Sequence, residues 1–247
     1  MKALAAENFK ALTKESYVGR GIALGFDEKN EHLVQVCWLA ARTEPNRNRI
    51  FEEDDELKSV RSRLADPSLP RGDLSFILYR AMQEVHRRWY VVGNGDQTDL
   101  VMKSISQGLG LSLPKECIYE NDPPIYTARI TGLSVRIPRP RIFMHILRKD
   151  ENSEKCLPGL YTYDGEDIPP GLGRCLTTYK CDGNPPPAFE GEPYLLPLCG
   201  DIEEICNAYY NALDADNRIA VTVKFIEIAS GESHIKIKNK LDKDFED

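Results

Sequence analysis

Four side chains suited to an anion crowd one short stretch of this chain. Arg42, Asn46, Arg47 and Arg49 lie in the segment ARTEPNRNR, where Pro45 and two asparagines break the apolar run that precedes it. A guanidinium is a planar fork that matches phosphate or carboxylate oxygens, and an asparagine adds amide donors and an acceptor. Taken alone, a surface loop with solvated arginines explains the segment better than a phosphate site, because short motifs often match by chance. A second polar cluster, Asn94-Gly95-Asp96-Gln97-Thr98-Asp99, stands where a helix should begin. Free backbone N–H groups at a helix start suit an anion or a polar ring, although a tight turn with a cap uses the same residues. Tyr119-Glu120-Asn121-Asp122 precedes two prolines. A carboxylate there acts as a general base only if it is partly buried near cations. Arg136, Arg139 and Arg141 alternate with Pro138 and Pro140, which reads as a proline-protected edge carrying solvated charge.

Other chemistries lack their residues. The four histidines, His32, His86, His145 and His234, show no metal-ligand spacing, so no metal site is expected. The seven cysteines are odd in number and form no CxxC pair, which points to reduced thiols in a cytoplasm. There is no GxSxG nucleophile motif, and the glycines fit neither the phosphate-loop nor the dinucleotide fingerprint.

The elements that must hold these groups can be read from periodicity and turn signals. Met1 to Leu12 suits a short amphipathic helix. Val18–Phe26 and Leu33–Leu39 form a strand pair around the polar turn Asp27–Asn30, and Arg42–Arg49 follows as a loop. Glu52–Leu64 is poorly periodic, and Pro67, Pro70 and Gly72 mark a second loop. Leu74–Met82 and Arg88–Gly93 form another strand pair. A helix then starts near Asp96, with Leu100, Val101, Ile105 and Leu109 at helical spacing, and ends at Gly108 and Gly110. Ile125–Val135, Ile142–Arg148, Leu160–Tyr163 and Arg174–Lys180 are strands, and Asp182–Pro197 is a long irregular loop. Asp201 caps a helix; Arg218–Ala229 and His234–Ile237 are strands; the charged tail from Lys238 should fray. Helices that follow groups of hairpins favour an α+β fold with antiparallel sheets.

At 247 residues, the chain can bury a sizeable core. Its hydrophobic content of 41% and charged content of 29% exclude a disordered chain. No apolar run approaches the roughly 20 residues of a bilayer span, so no membrane partner is expected. A net charge of −7 argues against sequence-independent binding of nucleic acid.

Taken together and in order, several segments resemble the archaeal-type IMP cyclohydrolase family. They are Tyr17-Val18-Gly19-Arg20, AARTEPNR (Ala40 to Arg47), Leu78-Tyr79, NGDQTD (Asn94 to Asp99), YEND (Tyr119 to Asp122) and YTARI (Tyr126 to Ile130). TTYKCDGNPPPAFEGEP (Thr177 to Pro193) is similar to longer bacterial members. The chain departs from the pattern in an extension before Tyr17, extra residues around Glu52 to Asp73, Ala128 in place of a proline, and one more residue between Glu120 and Arg129.

The resemblance implies one domain over residues 1–247, with an extension at 1–16 and a charged tail at 238–247. It implies a four-layer αββα fold similar to N-terminal-nucleophile hydrolases, a cytoplasmic homo-oligomer, and no cofactor. The implied reaction closes the purine ring of a formamido-imidazole-carboxamide ribonucleotide, with loss of water, to give IMP. Two alternatives are a purine-nucleotide-binding protein without catalysis and an amidohydrolase on a related fold. By resemblance, Glu120 is the leading base, Tyr79 a proton donor or oxyanion partner, and Arg47 a charge-stabilising or nucleotide-binding group. Arg20, Arg42, Asn46, Asn94, Asp99 and Arg129 match positions that bind phosphate, ribose or base.

Overall fold

The computed structural model describes residues 1–69 and 74–241, so the expected turn at Pro70 and Gly72 and the end of the charged tail lie outside the described residues. Among the described residues there are four α-helices and thirteen strands. The helices are α1 (Lys2–Leu12), α2 (Glu44–Arg47), α3 (Gln97–Ser106) and α4 (Ile202–Ala212). The strands are β1 (Gly21–Phe26), β2 (His32–Ala40), β3 (Arg49–Asp54), β4 (Ser59–Leu64), β5 (Arg80–Val85), β6 (Trp89–Gly93), β7 (Arg129–Val135), β8 (Arg141–Lys149), β9 (Cys156–Asp164), β10 (Leu172–Thr177), β11 (Tyr194–Pro197), β12 (Arg218–Glu227) and β13 (Ser233–Asn239).

They form two antiparallel sheets. One runs β11-β10-β1-β2-β12-β13 and the other β3-β4-β5-β6-β7-β8-β9. The architecture is therefore mixed α+β and layered. β2 shows why its sequence reads as an almost unbroken apolar run: both of its faces are covered. Val34, Val36 and Trp38 pack outward with Leu12 of α1 and Ile205, Cys206 and Tyr209 of α4. Leu33, Cys37 and Leu39 point inward and share a core with Tyr90 and Val92 of the second sheet. Helix α3 covers the far face of that sheet through Val101 and Ile105, against Val85, Val91 and Leu133. The order of layers is helix, sheet, sheet, helix.

Local chemistry fixes the ends of these elements. Asp201 and Glu204 cap α4 reciprocally, each side chain accepting the other's backbone N–H. Gly108 and Gly110, beyond α3, both take positive φ, the region glycine enters without steric cost. At the turn between β1 and β2, Asp27 Oδ1 accepts the N–H groups of Glu31 and His32. The core also holds an ion pair between the sheets. Lys224 of β12, fully buried, reaches Glu84 of β5 at 2.7 Å and donates to Lys58 O at 2.7 Å.

Some expectations change. Leu74–Met82, read as a strand, opens with a 3-10 turn at Leu74–Phe76, and β5 begins only at Arg80. Glu52–Leu64, without clear periodicity, belongs to the β3–β4 hairpin, whose partners include Arg63 with Glu52 and Arg61 with Asp54. Those charges lie on an edge hairpin, where alternation of apolar residues is weak. The irregular segment Asp182–Pro197 ends in strand β11, and the loop at Arg42–Arg49 contains one helical turn, α2, and the start of β3.

Candidate active site

Six strand ends meet at one end of the sandwich. β1, β3 and β7 begin there, and β2, β6 and β10 finish there. They surround a cavity of about 250 Å³. The first sheet and its connections supply Tyr17, Gly19, Arg20, Arg42, Thr43, Asn46, Thr178 and Tyr179. The second side supplies Arg49, Phe76, Glu120, Asp122, Ile125 and Thr127. The approach of chains is close at Gly19, which has φ +69°, and a Cβ there would stand 2.1 Å from Thr178 Oγ1.

The floor of the cavity is ionic. Arg20 Nη2 donates to Glu120 Oε2 at 2.7 Å, and both side chains are nearly buried. Arg20 Nη1 donates to the backbone carbonyl of Asn94 at 2.6 Å. The Asn94 side chain in turn donates to Ala128 O and accepts from Gln97 Nε2 and the Ile130 N–H. Burial opposes the charge on Arg20, but Glu120 overrides it and holds the guanidinium pKa above its usual range.

Two buried oxygens around this pair have no partner among the described residues: Glu120 Oε1 and Tyr79 Oη. An unpartnered buried polar atom costs about 1–3 kcal/mol, so such atoms call for a ligand, water or functional explanation. Burial raises the Tyr79 phenol to about 12, with Arg20 and Arg49 opposing, and it stays protonated at neutral pH. Tyr79 also borders a neighbouring cleft with Arg61, Arg63 and Asp99. Arg49 is 5% exposed, and its Nε donates to Asn46 O at 2.7 Å. It has no carboxylate partner among the described residues. Burial, reinforced by the like charge of Arg20, lowers its pKa. The cavity therefore holds a cation that is desolvated and free to take an anion.

The mouth is aromatic and basic. The Arg42 guanidinium lies 4.6 Å over the Tyr17 ring and pairs with Asp182 at 2.7 Å. Tyr17 stacks on Tyr179 with ring centres 5.5 Å apart.

The residues singled out from the sequence divide into two groups. Arg20, Arg42, Asn46 and Glu120 line the cavity, and Tyr79 lies within electrostatic reach of its floor. Arg47 lies outside it. Its guanidinium donates to Ala41 O and Asn217 Oδ1 and faces a separate cleft with Arg218 and Lys240. Asn94 is buried in backbone ties. Asp99 accepts from Arg80 and Gln83, and Arg129 is bound to Asp96 and Gln97. Tyr17, Thr127 and Tyr179 were not among the expected site residues, and Arg49 stood out only as part of the basic segment, without a role. Arg49 reaches the cavity because it opens β3, outside the single turn of α2, whereas Arg47 closes that turn. Asp27, Glu31 and His32 bring three ligand-type atoms within 4.8 Å at the opposite end of β1, where Asp27 already accepts from both neighbours.

This is a layered α+β protein whose two sheets share a small cationic cavity with an aromatic rim. A family model described as IMP cyclohydrolase-like protein matches residues 17–231, and the chain belongs to that family. No curated protein matches the chain. Membership supports an enzyme with a role in purine-nucleotide metabolism. Among the described residues, no helix is long and apolar enough to cross a membrane.

Proposed function

We propose that the cavity closes the pyrimidine ring of 5-formamidoimidazole-4-carboxamide ribonucleotide to give IMP and water. The observation that carries this reading is the pair of unpartnered buried oxygens, Glu120 Oε1 and Tyr79 Oη, beside Arg20 and Arg49 in a chain of this family. The carboxamide nitrogen attacks the formyl carbon, forming the C–N bond. Glu120 Oε1 takes a proton from that nitrogen, and Tyr79 Oη gives a proton to the formyl oxygen. The resulting hydroxyl takes the proton held by Glu120 and leaves as water, while the formamido N–H proton passes to Tyr79, restoring both side chains as the ring becomes aromatic. The sequence is redox-neutral and draws on no cofactor. Both reacting groups belong to one molecule, so holding the reactive rotamer accounts for much of the rate. Arg49 and Arg42, with Asn46, take the phosphate, and Arg20 keeps Glu120 aimed into the cavity.

The test is an absorbance assay on purified protein with the formamido ribonucleotide, following IMP formation. Glu120→Gln should slow turnover by roughly 10²–10⁴-fold, the usual range for a positioned acid or base. Tyr79→Phe should slow it by a comparable or smaller factor. Normal rates in both variants would exclude this mechanism, and amide hydrolysis without ring closure would move the protein to the amidohydrolase class.

A further inference from the structure

One wall of the cavity carries a hydrogen-bonded chain that ring closure does not use. Thr127 Oγ1 donates to Asp122 Oδ2 at 2.6 Å, and the Thr127 N–H donates to Asp122 Oδ1 at 2.7 Å. Thr127 Oγ1 also lies 2.7 Å from Tyr179 Oη. All three residues line the cavity, and Thr127 and Tyr179 are buried.

The direction of this chain follows from counting protons. An ionised carboxylate only accepts, and a threonine hydroxyl has one proton. Thr127 gives that proton to Asp122, so the contact with Tyr179 must be made by the tyrosine proton. The Tyr179 hydroxyl therefore faces inward with its hydrogen and has only lone-pair density left for the cavity. Burial also raises the phenol's pKa above its usual range, which keeps that proton in place. Tyr17, stacked on the Tyr179 ring, restricts its movement. Thr127 is held from its other side as well, since its carbonyl accepts the Glu120 N–H at 2.9 Å.

We infer that Tyr179, polarised through Thr127 by Asp122, is a specificity-determining acceptor that selects nucleotides presenting an O–H or N–H donor to this wall. The inference rests on the reading of the cavity as the nucleotide site. The donor is a ribose hydroxyl or the N1–H of the purine ring. A ligand lacking that donor would leave the Tyr179 oxygen buried without a partner. It would also be unable to obtain a proton from Tyr179 in exchange, because Thr127 holds it.

Calorimetric titration separates the cases. The ligands are IMP and its 2′-deoxy, 3′-deoxy and N1-methyl analogues, against the wild-type chain, Thr127→Val, Thr127→Ser and Tyr179→Phe. One analogue should bind the wild-type chain roughly five- to tenfold more weakly than IMP, the effect of one neutral hydrogen bond. Which analogue it is distinguishes a sugar donor from a base donor. That discrimination should fall to about twofold or less in Tyr179→Phe, which lacks the acceptor. It should fall likewise in Thr127→Val, where the freed tyrosine proton can turn toward the ligand, and it should persist in Thr127→Ser. Equal discrimination in the wild-type, Thr127→Val and Tyr179→Phe proteins would overturn the inference and leave the nucleotide site standing. Failure of IMP to bind the wild-type chain would overturn both.

Discussion

Replacing Arg49 by Met separates the two arginines that the sequence alone cannot rank. Arg49 is a buried cation whose one side-chain hydrogen bond among the described residues, to Asn46 O, is worth about 1 kcal/mol. The variant loses that bond and loses the burden of holding an unpaired charge near Arg20, so folding stability should stay within about 1 kcal/mol of wild type. A nucleotide phosphate, in contrast, loses a charge-assisted hydrogen bond worth about 1.5–3 kcal/mol, or roughly 10–150-fold in affinity. Arg47→Met should give the opposite profile. Its guanidinium serves Ala41 O and Asn217, so stability should fall by about 1 kcal/mol while affinity stays within about twofold. Titration calorimetry with IMP and thermal melting of both variants decide the matter. Unchanged affinity in Arg49→Met, or a large loss in Arg47→Met, would refute the assignment of Arg49 as the anion-binding cation.

Other variants report on the frame around the site. Glu84→Ala strands the Lys224 ammonium between the sheets, and denaturant titration should show a loss of about 3–5 kcal/mol. Burial lowers the Lys224 pKa below its usual 10.5, with Glu84 opposing. The unfolded chain therefore binds that proton more tightly, and the contribution of Lys224 to stability rises with pH toward 10. Lys224→Met should lack that rise when midpoints are compared from pH 7 to 10, and a parallel slope would count against it. Asp182→Asn should release Arg42 from a half-exposed pair worth about 0.2–1 kcal/mol, tightening IMP binding by up to about fivefold. Weaker binding would mean that Asp182 positions Arg42 for the ligand instead of competing for it.

Elements with complete local signals were legible in the sequence. The β1–β2 pair has a polar turn and apolar flanks, and α4 has its Asp201–Glu204 box. The β3–β4 hairpin was not legible, because its cross-strand partners are Glu, Asp and Arg on an edge. In the site, Glu120 and Tyr79 stood out by motif, but their unpartnered oxygens are a property of burial that no spacing reveals. Asn94 and Arg129 sit in motifs, yet their polar atoms are occupied by backbone and neighbouring side chains. Tyr179 and Thr127 are 52 residues apart and meet only because β7 begins where β10 finishes, at the same end of the sandwich. That kind of pairing is decided by how the sheets stack.

The single turn of α2 separates two arginines: Arg47 closes the turn, and Arg49 opens β3, where pairing with Leu64 fixes it. Inserting or deleting one position between Thr43 and Arg47 would turn Arg47 by about 100° and leave Arg49 in the register of its strand. The side chain now bound to Asn217 would lose that partner, while the cavity would keep its cation. A change in loop length thus alters the cleft that Arg47 faces without changing the identity of any arginine. In comparing related chains, the count of residues through this turn carries as much chemical meaning as the letters themselves.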